Sequence, residues 1–346
     1  MRRVRGFNLL EVMVALSVGL ILVAAFLVVL QRSRRDFVAA ESLSSLQDSA
    51  RHALAVLVAD IEHAGFYGFT GAGPVRLVRG AATLASGGEL SQPSAAFMVP
   101  AVAGLPAGAH DCGTNFAVDL LRAAQGSDNA FFLGPAAGDC APTSSAGGAA
   151  AFADTLTLRH ASLDTTTPRA GRLQVYSAAR DSASPLLLFA DGRAPGPVDG
   201  EHEIRDLEVH SYYIANDSVG RAGWPALRVK SLTESRGAAQ FRDEEVMPGV
   251  EDLQVEFGVA EVEGGVPVVR FVAASSPRTV STPGVPVHIL AIRVWLRVRA
   301  DVTEQGHLDD RTMNYANVTF TPSLAEARQR RLLVSRTVAL RNAPPG

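Results

Sequence analysis

An uninterrupted apolar run near the start of the chain constrains everything that follows. From Phe7 to Leu30 the only polar residues are Asn8, Glu11 and Ser17. As a helix this run is roughly 36 Å long, enough to cross a hydrocarbon core of about 30 Å. Glu11 separates it from an ordinary anchor. A lone carboxylate in hydrocarbon costs on the order of a few kcal/mol unless it finds a partner, and no Lys, Arg or His shares the segment. The acid therefore requires a positive group on another molecule, or a proton.

The flanks complete a pattern. Met1-Arg2-Arg3-Val4-Arg5-Gly6 precedes Phe7-Asn8-Leu9-Leu10-Glu11, and together they resemble the leader and processing site of type IV prepilins. The resemblance implies cleavage by a prepilin peptidase after Gly6 and N-methylation of Phe7. It also implies that Glu11 pairs with the N-terminal amine of a neighbouring subunit, which would satisfy the buried acid. A plain signal peptide could use Arg2, Arg3 and Arg5 as its basic region and Val23-Ala24-Ala25 as a cleavage site, but it has no reason to carry Glu11. A twin-arginine address lacks the residues that should follow Arg2-Arg3. Charge bias does not orient the span, because Arg2, Arg3 and Arg5 face Arg32, Arg34 and Arg35. The leader does, with the N-terminus cytoplasmic and the rest periplasmic, then on a pilus outside the cell.

The helical pattern continues past the span. Leu43, Leu46, Ala50, Leu54, Leu57, Ile61 and Ala64 recur at steps of three and four, with Ser45, Asp48, His52, Asp60 and Glu62 between them. Gly65 is placed to end the helix, and Gly68, Gly71, Gly73 and Pro74 oppose its continuation. One helix from Phe7 to Ala64 would be on the order of 85 Å long. No proline interrupts it, whereas many major pilins carry one in the membrane half.

The remainder reads as β-rich. Residues 155–160, 172–177, 208–214, 226–230, 250–259 and 331–340 are short β-branched and aromatic runs between turn-forming clusters. In residues 292–299, Ile292, Val294, Leu296 and Val298 alternate with Arg293, Trp295, Arg297 and Arg299, giving one core face and one face expected in solvent. Residues 80–109, 134–153 and 274–286 read as loops. Cys112 and Cys140, the two cysteines of the chain, lack zinc spacing and read as one bridge in an exported protein. It would close a loop of about 28 residues, worth roughly 3 to 4 kcal/mol.

Three further blocks resemble the minor pilin PilW family. They are Ser49-Ala50-Arg51-His52-Ala53-Leu54 with Asp60 to Gly68, then Val246 to Gly258, then Leu333 to Asn342. Residues 70–200 carry no block that matches. The resemblance implies an α+β, type IV pilin-like fold in which a long N-terminal transmembrane and amphipathic helix packs on a β-rich head. The divisions are a leader at 1–6, a membrane half at 7–30, an amphipathic half at 31–65 and a head at 66–346. The implied partners are the prepilin peptidase, the inner membrane, other minor pilins, the major pilin and a tip adhesin. The implied role is priming or capping a type IV pilus.

Other classes fit less well. A net charge of −3 carries no basic footprint for nucleic acid. The glycines from Gly68 to Pro74 lack the Lys-Ser/Thr ending of a phosphate loop, and no nucleophile-elbow signature marks an enzyme. Glu201, His202, Glu203, Asp206 and His210 lack metalloprotease spacing and read as a surface turn leading to a strand. Arg242-Asp243-Glu244-Glu245 reads as a solvated run rather than a calcium site. No cofactor or metal is expected. The pseudopilin J of type II secretion shares the leader and helix but usually has a smaller head. A membrane-tethered ligand-binding module could use Trp224 and Trp295, yet it would need no acid in its anchor.

Overall fold

The computed structural model describes residues 8–69, 75–79, 82–83, 112, 116–120, 122–133, 138–179, 186–279, 288–304 and 306–342. Helix α1 (Leu9–His63) is unbroken and about 82 Å long. From Leu9 to Val38 every residue but Gly19 is exposed. This half contains an 18-residue window of mean hydropathy 3.0, none of it buried. In the other half Leu46, Ala50, Ala53, Leu57 and Ile61 are buried. The apolar stripe is therefore real but shifted, with Leu43 left exposed and Ala53 taken inside. Asp60, which falls between stripe positions in the sequence, lies only 7% exposed on the packed face.

The helix stops where the backbone turns left-handed at Gly65, with φ +81°. A Cβ there would meet the backbone oxygen of Asn342 at 3.1 Å. Asn342 Nδ2 in turn reaches the last helical carbonyls, Glu62, His63 and Ala64, at 3.4 to 3.5 Å. These are the acceptors that a helix C-terminus leaves without partners.

Nine strands form the larger sheet: β1 (Val75–Arg79), β2 (Ala82–Thr83), β3 (Ala124–Ser127), β4 (Thr155–Thr165), β5 (Ala170–Ala178), β6 (Leu186–Asp191), β7 (His202–Ala215), β8 (Ala226–Ser235) and β9 (Ala238–Pro248). Their order is β2-β1-β6-β5-β7-β4-β3, with β8 on β7 and β9 on β8. All pairings are antiparallel except β1 with β6. Strand β7 is the spine: it pairs β4 along one edge, and β5 then β8 along the other. The smaller sheet has the order β11-β10-β12-β15. Its strands are β10 (Val250–Glu263), β11 (Val266–Ala273), β12 (Ile289–Thr303) and β15 (Gln329–Ala339), while β13 (Met313–Tyr315) and β14 (Val318–Phe320) make a separate hairpin.

The main core lies between the packed half of α1 and both sheets. Leu57 and Ile61 join Leu156, Leu158 and Tyr212 of the larger sheet and Ile292, Val294, Leu296 and Val338 of the smaller one. On the opposite face of the larger sheet a second core gathers Tyr67, Phe116, Leu173, Val175, Leu207, Val209, Cys112 and Cys140. The two cysteines are joined, with Cα atoms 5.3 Å apart.

Two charged runs are less solvated than their sequence suggests. The apolar face of residues 292–299 is core, but its basic face is partly roofed. Arg297 is 9% exposed, its guanidinium lies 3.6 Å from the centroid of the Phe320 ring on β14, and its Nε donates to Glu251 at 3.1 Å. Arg331 shares Glu251 at 2.8 Å. Burial of such cations is tolerated because each finds a carboxylate. Within Arg242–Glu245 only Arg242 and Glu244 are exposed. Asp243 turns inward to Arg228 at 2.6 Å and to buried Lys230 at 3.1 Å, and Glu245 reaches Arg228 at 3.4 Å.

The stretch 134–153 contains two short 3-10 turns, Gly138–Cys140 and Ser144–Ala146. In 274–286 a further one, Pro277–Thr279, lies among the described residues. The expected loop at 80–109 lies outside the described residues except for the short strand β2.

Candidate functional site

Gly6 and Phe7, expected to flank a cleavage site, lie outside the described residues. Glu11 stands on the exposed first turn of α1, where its Oε2 accepts from the backbone N–H of Asn8 at 3.3 Å. That contact makes Glu11 the N3 acid of a capping arrangement, a position the helix dipole also favours. One bond leaves most of a carboxylate's acceptor capacity unused. Among the described residues no cation pairs with it. Along the same helical face at steps of four stand Ala15 and Gly19, and a shallow groove runs from Glu11 past them to Val23. A Cβ built on Gly19 would touch nothing within 4 Å, so a second helix could approach closely there.

A second constellation lies at the far end of α1, in the head. The chain leaving the helix docks on β4 through two backbone bonds, Gly65 N–H to Arg159 O at 2.9 Å and Ala161 N–H to Phe66 O at 2.6 Å. These bonds flank His160 and hold the last helical turn over it. Strand β4 sets His160 opposite Glu208 and Leu158 opposite His210. His160 and His210 are thus diagonal neighbours on one face of the sheet, the arrangement that lets long side chains meet.

Both rings converge on Asp60. Its Oδ1 lies 2.7 Å from His160 Nε2 and 2.9 Å from His210 Nδ1. Burial would raise the Asp60 pKa, but the His210 charge and the hydrogen bonds from both imidazoles outweigh it and hold the carboxyl well below the usual range. Burial would likewise lower that of His210, yet Asp60 and, more weakly, Glu208 turn the balance upward. The Tyr212 phenol is pushed up by burial and then by the Asp60 charge. Asp60 Oδ2 is buried and makes no well-formed hydrogen bond among the described residues, although the Tyr212 hydroxyl bears on the same carboxylate.

The residues suspected together in the sequence do not stay together. Glu201 precedes β7, and His202 opens it, bonded to Asp199 at 2.8 Å. Glu203 is buried and takes the N–H of Phe69 at 3.0 Å. Asp206 pairs with Arg169 and Arg172. Glu201 lies in the expected turn, whereas His202, Glu203, Asp206 and His210 are strand positions, and only His210 reaches the cluster. Sequence reading missed His160 and Asp60 as its companions. No local pattern marks them, because Asp60 falls between the apolar stripe positions of α1 and its two partners lie on strands far along the chain.

Comparison with known proteins covers one part of the chain. Residues 211–342 match the family described as Type IV Pilus-assembly protein W. The matched stretch holds two of the three blocks noted in the sequence, Val246–Gly258 and Leu333–Asn342. Helix α1, β1 to β6 and the cluster of Asp60, His160 and His210 precede it. No curated protein and no solved structure matches.

Proposed function

We propose that the chain is a non-enzymatic minor pilin with a type IV pilin-like fold, which primes assembly of a type IV pilus or caps it. In this reading residues 1–6 are a leader removed by a prepilin peptidase, and Phe7 becomes the methylated N-terminus. Residues 7–30 cross the inner membrane once with the N-terminus cytoplasmic, and the head of residues 66–346 stands in the periplasm until it enters the pilus. One observation carries the proposal. A single helix has a bare apolar half bearing an underused acid, and a second half that is the spine of the head. The match to a pilus-assembly family supports it from the other end of the chain.

The bare half cannot stay in water. Its exposed residues, among them Leu9, Leu20, Ile21, Leu22 and Phe26, require lipid or other helices. Pairing Glu11 with a neighbour's terminal amine in a low dielectric favours association only between molecules. Two measurements test this. Mass spectrometry of the mature N-terminus should find methylated Phe7, and a start near Phe26 would mean an ordinary signal peptide. Glu11→Ala should still be processed and inserted but should lose co-purification with other pilins. Unchanged assembly of that variant would overturn the intermolecular pairing. Deletion of the gene should remove surface pili, and loss of protein secretion with pili intact would instead mark a pseudopilin.

A further inference from the structure

We propose that Asp60, His160 and His210 bind one divalent transition-metal ion, zinc by the character of the donors, which fastens the end of α1 to β4 and β7. Among the described residues this is the one grouping whose ligand atoms all lie within 4.8 Å of one another. The first argument is tautomeric. His160 Nδ1 lies 2.9 Å from the carbonyl oxygen of Ala161, a partner that can only accept, so Nδ1 carries a proton. In the neutral ring Nε2 then directs a lone pair at Asp60 Oδ1, itself an acceptor, 2.7 Å away. Something positive must lie between them, either a second proton or a metal ion. The second is Asp60 Oδ2, on a residue more than nine-tenths buried. It makes no well-formed hydrogen bond although the Tyr212 hydroxyl bears on the same carboxylate, so that its acceptor capacity is not filled.

The surrounding shell suits a metal. Ligating histidines usually give their other ring nitrogen to a carbonyl or a carboxylate, which fixes the tautomer. His160 has Ala161 O in that role, while Glu208 Oε2 stands near His210 Nε2 at 3.7 Å, a charge neighbour and not a hydrogen bond. Displacing one proton from each of the two facing nitrogens by one divalent ion leaves the charge of the cluster unchanged. Tetrahedral zinc with bonds of about 2.0–2.1 Å sets its ligand atoms about 3.3 Å apart. The present 2.7 and 2.9 Å must therefore open by about half an ångström: the partly exposed His210 can supply the second, and the first requires the buried His160 and Asp60 to move apart. Two imidazoles and a carboxylate select zinc and its neighbours over calcium or magnesium, which take oxygen ligands. The fourth position falls to water or to Asp60 Oδ2. All three donors lie at the joint between the end of α1 and the larger sheet, ahead of the matched residues 211–342.

The test uses the full chain in detergent, stripped with EDTA and dialysed, and titrated with zinc chloride by calorimetry and thermal unfolding. One equivalent of Zn²⁺ should bind and raise the midpoint of unfolding. Loss of an outer-shell partner alone weakens such sites about 10- to 100-fold, so removing a ligand in His210→Gln should cost at least about 100-fold in affinity. Absence of stoichiometric uptake, or uptake unchanged in His210→Gln, which would place the ion on surface histidines such as His52, overturns the proposal. Should that variant fail to fold, Co²⁺ added to the unaltered protein decides. A visible spectrum of four-coordinate cobalt with nitrogen and oxygen ligands, saturating at one equivalent, supports the site, and a six-coordinate aqua-like spectrum overturns it.

Discussion

Two of the acids on helix α1 stand in opposite circumstances. Glu11 stands on the bare half with one local bond to Asn8, and Asp60 lies in the packed half between two imidazoles. Both are carboxylates that apolar surroundings penalise, and the fold answers only one of them. The contrast separates cohesion from assembly: an acid satisfied inside its own chain helps to define the tertiary structure, whereas one left wanting in an apolar stripe calls for a second molecule. The same division runs through the apolar residues, with Leu57 fully enclosed and Leu20 exposed.

Substitutions along and beside α1 can break or sharpen this division, and unfolding of the full chain in detergent reads all of them. Asp60→Ala should be the most damaging, at about 3–5 kcal/mol, because it strands the buried His160 and the partly buried His210 beside a hole. A loss under about 1 kcal/mol, the scale of a surface ion pair, would show that the two acids do not differ in kind. Replacing Cys112 and Cys140 together by Ser should cost about 3–4 kcal/mol through the freed loop, measurable as an earlier midpoint that reductant no longer shifts. Leu57→Ala should cost about 3 kcal/mol through an unfilled core site, whereas Leu20→Ala should leave the head's unfolding where it was. Equal losses from the two leucines would erase the distinction between the halves. Smallest is Glu11→Ala, which removes a capping bond at the far end of the helix and should move the head by less than about 0.5 kcal/mol.

Local periodicity made the outline of this fold legible. The period of α1, the helix stop at Gly65 and the alternation from Ile292 to Arg299 are short-range patterns, and each names its element directly. What the sequence concealed depends on distant partners. Arg242–Glu245 reads as solvated because all four residues are charged, yet the run lies within strand β9 with Asp243 turned to Arg228 and Lys230 and Glu245 to Arg228. The outer face of β12 looks open because nothing nearby indicates that Phe320 will cover Arg297. At the candidate sites Glu11 stands out as an anomaly within its own segment. Asp60 does not, since an acid beside a stripe is ordinary on a half-exposed helix, and its imidazoles lie 100 and 150 residues further on. No window on the chain contains all three.

The meeting of Asn342 with the end of α1 bears on the order in which the molecule can be completed. These contacts join residues 278 to 280 positions apart, and β15, which leads into them, is also the partner of β12 and a neighbour of α1. Closures of such span form late, because the entropy of the intervening chain is lost before the contact returns anything. A ribosome delivers α1 well before β15. Throughout synthesis the packed face of α1, from Leu46 to Ile61, is therefore without its cover from the smaller sheet. If residues 7–30 hold the chain in the bilayer as proposed, that interval is spent tethered to the membrane, and the anchor fixes where the head folds before it serves any filament.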